Sequence, residues 1–122
     1  MRLLIVEDEL LIAMDLELQL AEFGHEVVAI AADPDEAVAA ARAYAPELVL
    51  MDLHLARGTS GVDAARRLRE ELRLRCVFVS ATLDVATVAA LGALDPAGFV
   101  AKPVLPATLR RALEQAAAAG HP

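Results

Sequence analysis

Short apolar runs alternate with longer amphipathic stretches along the whole chain. Near-continuous apolar runs at 3–6, 27–30, 48–51, 77–80 and 98–101 predict strands. Their starts lie roughly 20–30 residues apart, the spacing of strands joined by crossover helices. Runs that stay apolar without alternating suit a parallel sheet covered on both faces.

The stretches between them read as helices. The first covers 10–23, with Ile12, Leu16, Leu20 and Phe23 on the inner stripe and Asp15, Gln19 and Glu22 on the solvent stripe. Gly24 suits the position just past its end. The second carries its own start signal: Asp33 as N-cap, Pro34 in the first helical position and Glu36 three residues after the cap, with Pro46 stopping it. The third, 62–72, turns Val62, Ala65, Leu68 and Leu72 inward and Arg66, Arg67, Arg69 and Glu70 outward. The fourth, 84–91, is short and weakly amphipathic. The fifth starts near Pro106, with Leu109, Leu113 and Ala116 inside, Arg110, Arg111 and Glu114 outside, and the tail 116–122 expected to fray after a last helical turn. A βα unit repeated in this way predicts a doubly wound α/β fold, with 1–122 as one domain.

Composition narrows the function. More than half of the 122 residues are apolar, enough for a core, and the net charge is −7. With no basic face, direct nucleic-acid binding is not expected. Cys76 is the only cysteine and reads as small apolar filling in a reducing compartment. No apolar run is long enough for a membrane span, and Glu7, Asp8 and Glu9 interrupt the N-terminal run too early for a signal peptide. A cytoplasmic protein is expected.

Ligands of open parallel sheets bind beyond the carboxyl ends of the strands. The first strand ends in Glu7, Asp8 and Glu9, the third in Asp52, the fourth in Ser80 and the fifth in Lys102, followed by Pro103. Clustered carboxylates repel one another, which raises a pKa or recruits a cation. An all-oxygen set suits Mg²⁺. An Asp beside such a cation is a potential phosphoryl acceptor, with Lys102 and Ser80 neutralising and hydrogen-bonding the phosphoryl oxygens.

Ile5-Val6-Glu7-Asp8-Glu9, Met51-Asp52-Leu53, Val79-Ser80-Ala81 and Ala101-Lys102-Pro103, in this order and spacing, resemble the signature of the receiver domain of bacterial two-component response regulators. The resemblance spans essentially the whole chain. Each motif alone is weak; together, at successive strand ends, they are specific. The resemblance implies a flavodoxin-like, CheY-like fold, with a five-stranded parallel sheet in the order 2-1-3-4-5 flanked by five helices. It also implies Asp52 as phosphoacceptor, with Mg²⁺ held by Asp8, Asp52 and the main-chain carbonyl of His54, and by Glu7 through water. Ser80 and Lys102 would bind the phosphoryl group. Ser80 and Phe99 would form the switch, and a cis bond before Pro103 would aim the lysine inward. The implied partners are a histidine kinase or phosphotransfer protein, and a downstream protein on the face of the fourth helix, fifth strand and fifth helix. Such a domain assists its own phosphorylation and dephosphorylation without being a turnover enzyme.

The sequence departs from the commonest pattern after the acceptor. No proline stands four residues past Asp52, and Gly61 lies one residue late. The stretch 56–64 looks like receivers of alphaproteobacterial general-stress regulators and related single-domain receivers. The region 91–96 is also unusual.

Plainer readings stand beside these. Glu7, Asp8 and Glu9 also suit a helix N-terminus. Ser80 and Lys102 alone are uninformative, and Phe99 alone reads as packing. His54 and Thr82 read as side chains at the site mouth that tune the access of water. His25 and His121 read as surface residues. Arg110 and Arg111 suit a solvated face, and a monomer or weak dimer is expected. The competing functions are an aspartyl-nucleophile phosphatase, a flavodoxin-like nucleotide binder and a pseudo-receiver adaptor. Asp52 is followed by Leu53-His54 rather than by a second acid two residues on, against the first. The first loop is acidic rather than rich in Gly, Ser or Thr, against the second. The full acidic set argues against the third.

Overall fold

The structure, a computed structural model, describes residues 1–55 and 60–119. Five strands alternate with five α-helices: β1 (Arg2–Val6), α1 (Leu10–Glu22), β2 (Glu26–Ala31), α2 (Pro34–Tyr44), β3 (Leu48–Asp52), α3 (Gly61–Leu72), β4 (Cys76–Ser80), α4 (Val85–Leu91), β5 (Gly98–Ala101) and α5 (Pro106–Ala119). A 3-10 turn, Gly92–Leu94, extends α4. All strand pairs are parallel and the sheet order is β2-β1-β3-β4-β5, as the resemblance implied. The order reverses between β1 and β3, which opens a crevice at their carboxyl ends.

The continuous apolar runs serve two cores at once, because successive strand side chains point to opposite faces. Leu4, Val6, Val49, Met51, Cys76 and Phe78 pack under α2, α3 and the end of α4. Leu3, Ile5, Leu48, Leu50, Val77, Val79 and Val100 pack under α1 and α5. Every residue of β3 and of β4 is buried, as a doubly covered parallel sheet requires.

Local signals set the helix ends. Asp33 caps α2 by accepting the Glu36 N–H at 2.8 Å, with Pro34 in the first turn. Without glycine, α2 closes on Ala45 in the left-handed region at φ 46°, just before Pro46. Gly24, at φ +86°, follows α1.

The helix faces follow expectation except at one residue. On α1 the buried residues are Ala13, Leu16 and Leu20, while Leu11 is 82% and Leu18 66% exposed. Ile12 and Phe23 pack against the same core, so the expected inner stripe of α1 holds although the helix also carries apolar residues on its outer side. Val62 is exposed rather than inward; it lies in the first turn of α3, where Ala64, Ala65 and Leu68 do the packing. The C-terminal tail stays helical to Ala119, with Ala116 buried against the second core. His25 is half-buried rather than on the surface, its Nδ1 2.9 Å from the Met1 amino group. Burial, and then that positive charge, lower its pKa. Arg110 and Arg111 are exposed as expected; the Arg110 guanidinium lies over the Phe23 ring, 5.4 Å from its centroid. His121 and the loop residues 56–59 lie outside the described residues.

Candidate functional site

The sheet ladder continues just past the strands and fixes the rim residues. Glu7 N–H donates to the Ala31 carbonyl at 2.9 Å, Leu53 N–H to the Val79 carbonyl at 3.2 Å, and Lys102 N–H to the Ser80 carbonyl at 2.9 Å. Glu7, Asp52, Ser80 and Lys102 are therefore presented by backbone as regular as the sheet itself.

Glu7, Asp8 and Asp52 each bring a carboxylate oxygen within 4.8 Å of the others. Glu7 and Asp52 are almost fully buried, and so is Ser80. Lys102 reaches into this group: its Nζ lies 3.0 Å from Glu7 Oε1 and 3.3 Å from Asp52 Oδ2. The Lys102–Pro103 peptide is cis. Backbone N–H groups fix the other oxygens. Glu9 N–H donates to Glu7 Oε2 at 3.2 Å, and His54 N–H to Asp52 Oδ1 at 3.2 Å. Ser80 Oγ accepts the Thr82 N–H at 3.1 Å, which leaves its own O–H to donate.

The electrostatics are those of a site short of positive charge. Burial pushes the Glu7 carboxyl up to about 7, helped by neighbouring Asp52 and opposed by Lys102 and the Glu9 N–H. Burial works against the Lys102 charge, but the carboxylates of Glu7 and Asp52 outweigh it and hold the ammonium above its usual value. One lysine faces three carboxyls. A compact set of hard oxygen donors with excess negative charge fits a small divalent cation such as Mg²⁺.

Phe99 lies on β5, two strands from Asp52. Its ring stacks on Phe78, with centroids 5.9 Å apart and planes at 26°, and it is half-buried. His54 and Thr82 are exposed and line one cleft of about 480 Å³ with Ser60, Val62 and Thr87. Sequence reasoning missed part of this wall, Ser60 and Thr87, because polar residues at helix starts look like caps. Ser60 is one: its Oγ accepts the Val62 and Asp63 N–H groups. Cys76 is inert packing, its thiol pushed up to about 12 by burial.

Comparison with known proteins agrees with this geometry. The model of the response regulator receiver domain matches residues 3–114. The phyllosphere-induced regulator PhyR of Methylorubrum extorquens is 37% identical over 115 residues, covering 93% of this chain and 42% of that protein. The receiver domain of a modulated diguanylate cyclase from Desulfovibrio desulfuricans superposes with a TM-score of 0.86 at 34% identity, over 98% of this chain and 94% of that one. The response regulator PhyR from Brucella abortus superposes with a TM-score of 0.80 at 37% identity, over 94% of this chain and 46% of that one. The chain thus spans less than half the length of both PhyR proteins. Among the described residues no helix is long and apolar enough to cross a membrane. Strand order, the acidic rim with its lysine, and a family match over nearly the whole sequence lead to one assignment: the chain belongs to the response regulator receiver domain family.

Proposed function

We propose that this receiver is a phosphorylation switch. Asp52 takes a phosphoryl group from a histidine kinase or phosphotransfer protein, and protein contacts on the face of α4, β5 and α5 change in response. The observation that carries this reading is the convergence of Glu7, Asp8, Asp52 and Lys102 on one rim. Glu7, Asp8, Asp52 and the His54 carbonyl would hold Mg²⁺, which when bound neutralises charge on the phosphoryl oxygens.

The remaining work falls to the chain. The His54 N–H fixes Asp52 Oδ1 and so orients the carboxylate. A carboxylate oxygen attacks phosphorus, the phosphorus–nitrogen bond of the donor imidazole breaks, and its electron pair leaves with the ring nitrogen. Lys102 then trades its contacts with Glu7 and Asp52 for the phosphoryl oxygens. The Ser80 O–H donates to another of them. As Ser80 shifts, Phe99 turns inward along Phe78, and the output face changes.

A docked protein donor finds an apolar surface beside the site. Leu11, Met14 and Leu18 form an outward ridge on α1, and Leu105 lies exposed after β5. A groove of about 530 Å³ between them is lined by Leu11, Ile12, Leu16, Pro103 and Val104. The full acidic set favours a competent receiver over an adaptor. The chain acts in the cytoplasm and is no turnover phosphatase.

The test of the acidic site is thermal. Saturating Mg²⁺ is expected to raise the melting temperature of the wild type by roughly 4–8 °C. The rise should vanish in Asp8→Ala and in Asp52→Ala. A wild type whose melting point ignores Mg²⁺ contradicts the site.

A further inference from the structure

The segment between β4 and β5 is held at its ends and little in between. In α4 only Leu91 is buried, Val85 is 88% exposed, and no side chain is charged. Its start is capped by Asp84, which accepts the Thr87 N–H at 2.8 Å, four residues beyond Ser80. The far end is built differently. The 3-10 turn closes on Asp95, a non-glycine residue in the left-handed region at φ 51°. There Arg75, immediately before β4, donates Nε to the Asp95 carbonyl and Nη2 to the Pro96 carbonyl, both at 3.0 Å. The same Nε lies 3.2 Å from Asp95 Oδ2. Arg69, in the last turn of α3, approaches that oxygen with Nη2 at 3.3 Å and donates Nη1 to the Arg73 carbonyl at 3.1 Å. Ala97 N–H donates to the Cys76 carbonyl at 2.8 Å, while Leu91 and Leu94 pack into the first core.

Carbonyls at the end of a helical turn have no partner inside it. One guanidinium fork supplies two of them here. An exposed ion pair alone is worth little, so the carbonyl bonds of Arg75, which is only a quarter exposed, carry most of the hold. The contact joins the end of α3 and the start of β4 to the start of β5. All of this lies at the amino ends of the strands, opposite the rim that carries Asp52 and Ser80.

We propose that α4 with its 3-10 turn is a lever pinned at the base of the sheet by Arg69, Arg75 and Asp95, so that its motion is confined to the end beside Ser80. A displacement at Ser80 then turns the uncharged face of α4 about Asp95 instead of melting the segment. The motion at Ser80 rests on the proposed phosphorylation of Asp52, whereas the pin at Asp95 is read in the unmodified protein.

Hydrogen–deuterium exchange by mass spectrometry on the full chain tests it, with wild type, Arg75→Gln and Asp95→Asn. Asn tolerates the left-handed conformation and keeps an acceptor oxygen; Gln removes the fork. Arg75→Gln is expected to speed exchange across 86–97 roughly tenfold, with β1 and β3 unchanged. Asp95→Asn should give a smaller rise in the same window, because the carbonyl bonds remain. High salt should leave the wild-type pattern almost as it is. Wild-type exchange across 86–97 in Arg75→Gln overturns the pin. So does a rise shared equally by every element in both variants, which marks these residues as general supports.

Discussion

Gly61 sits where a side chain has no room: a Cβ there would overlap the Asp52 carbonyl oxygen and lie 2.8 Å from Leu53 Cα. Its N–H donates to the Leu53 carbonyl at 3.1 Å, so the start of α3 lies directly against the backbone of Asp52 and Leu53. Gly61→Ala is expected to destabilise the fold by roughly 3 kcal/mol, read as a drop in the denaturation midpoint. A loss near zero would show that the loop yields. His54 and Thr82 share the cleft next to Asp52, so trimming them opens the mouth to water. His54→Ala and Thr82→Ala should each shorten the phosphoryl lifetime severalfold; a lifetime unchanged in both removes them from the site's control. The acids, the serine and the lysine were legible in the sequence because each ends an apolar run, and strand ends define a rim. The close approach at Gly61 was not, since it is a distance between two segments. The sequence marked that glycine only as displaced by one residue.

At the scale of elements, the helices differ in how clearly they announce themselves. Asp33, Pro34 and Glu36 state the start of α2 outright, and the structure has that cap. Asp33→Ala should cost ~1 kcal/mol in chemical denaturation; a variant as stable as wild type would mean that tertiary packing alone sets this end. The opposite case is α1. With Leu10, Leu11, Met14 and Leu18 all exposed, it offers apolar residues on almost every side, yet the period of Ile12, Leu16, Leu20 and Phe23 picked out the packed stripe. Val62 shows the limit of periodicity in one turn: it fits the period of α3, yet it is exposed and lines the cleft beside His54. Between α2 and α3, Arg67 approaches Asp35 at 2.8 Å, a cross-link no periodicity predicts.

At the scale of the whole molecule, one arrangement explains both the fold and the site. A parallel sheet buried on both faces uses nearly all its apolar residues in two cores, so polar groups collect where the strands stop. With the order reversing between β1 and β3, the acids after β1 and at the end of β3 meet in one crevice. An anionic phosphoryl group entering that crevice would need Lys102 and a cation to offset the carboxylates of Glu7, Asp8 and Asp52. The measurement that bears most directly on this account is intact-mass spectrometry after incubation with a small phosphodonor, with Mg²⁺ or with chelator, on wild type and Asp52→Ala. The account predicts a gain of a single phosphoryl group by the wild type that needs Mg²⁺ and is absent in the variant. A gain that persists in Asp52→Ala or in chelator, or none in wild type even with a cognate kinase, would contradict it.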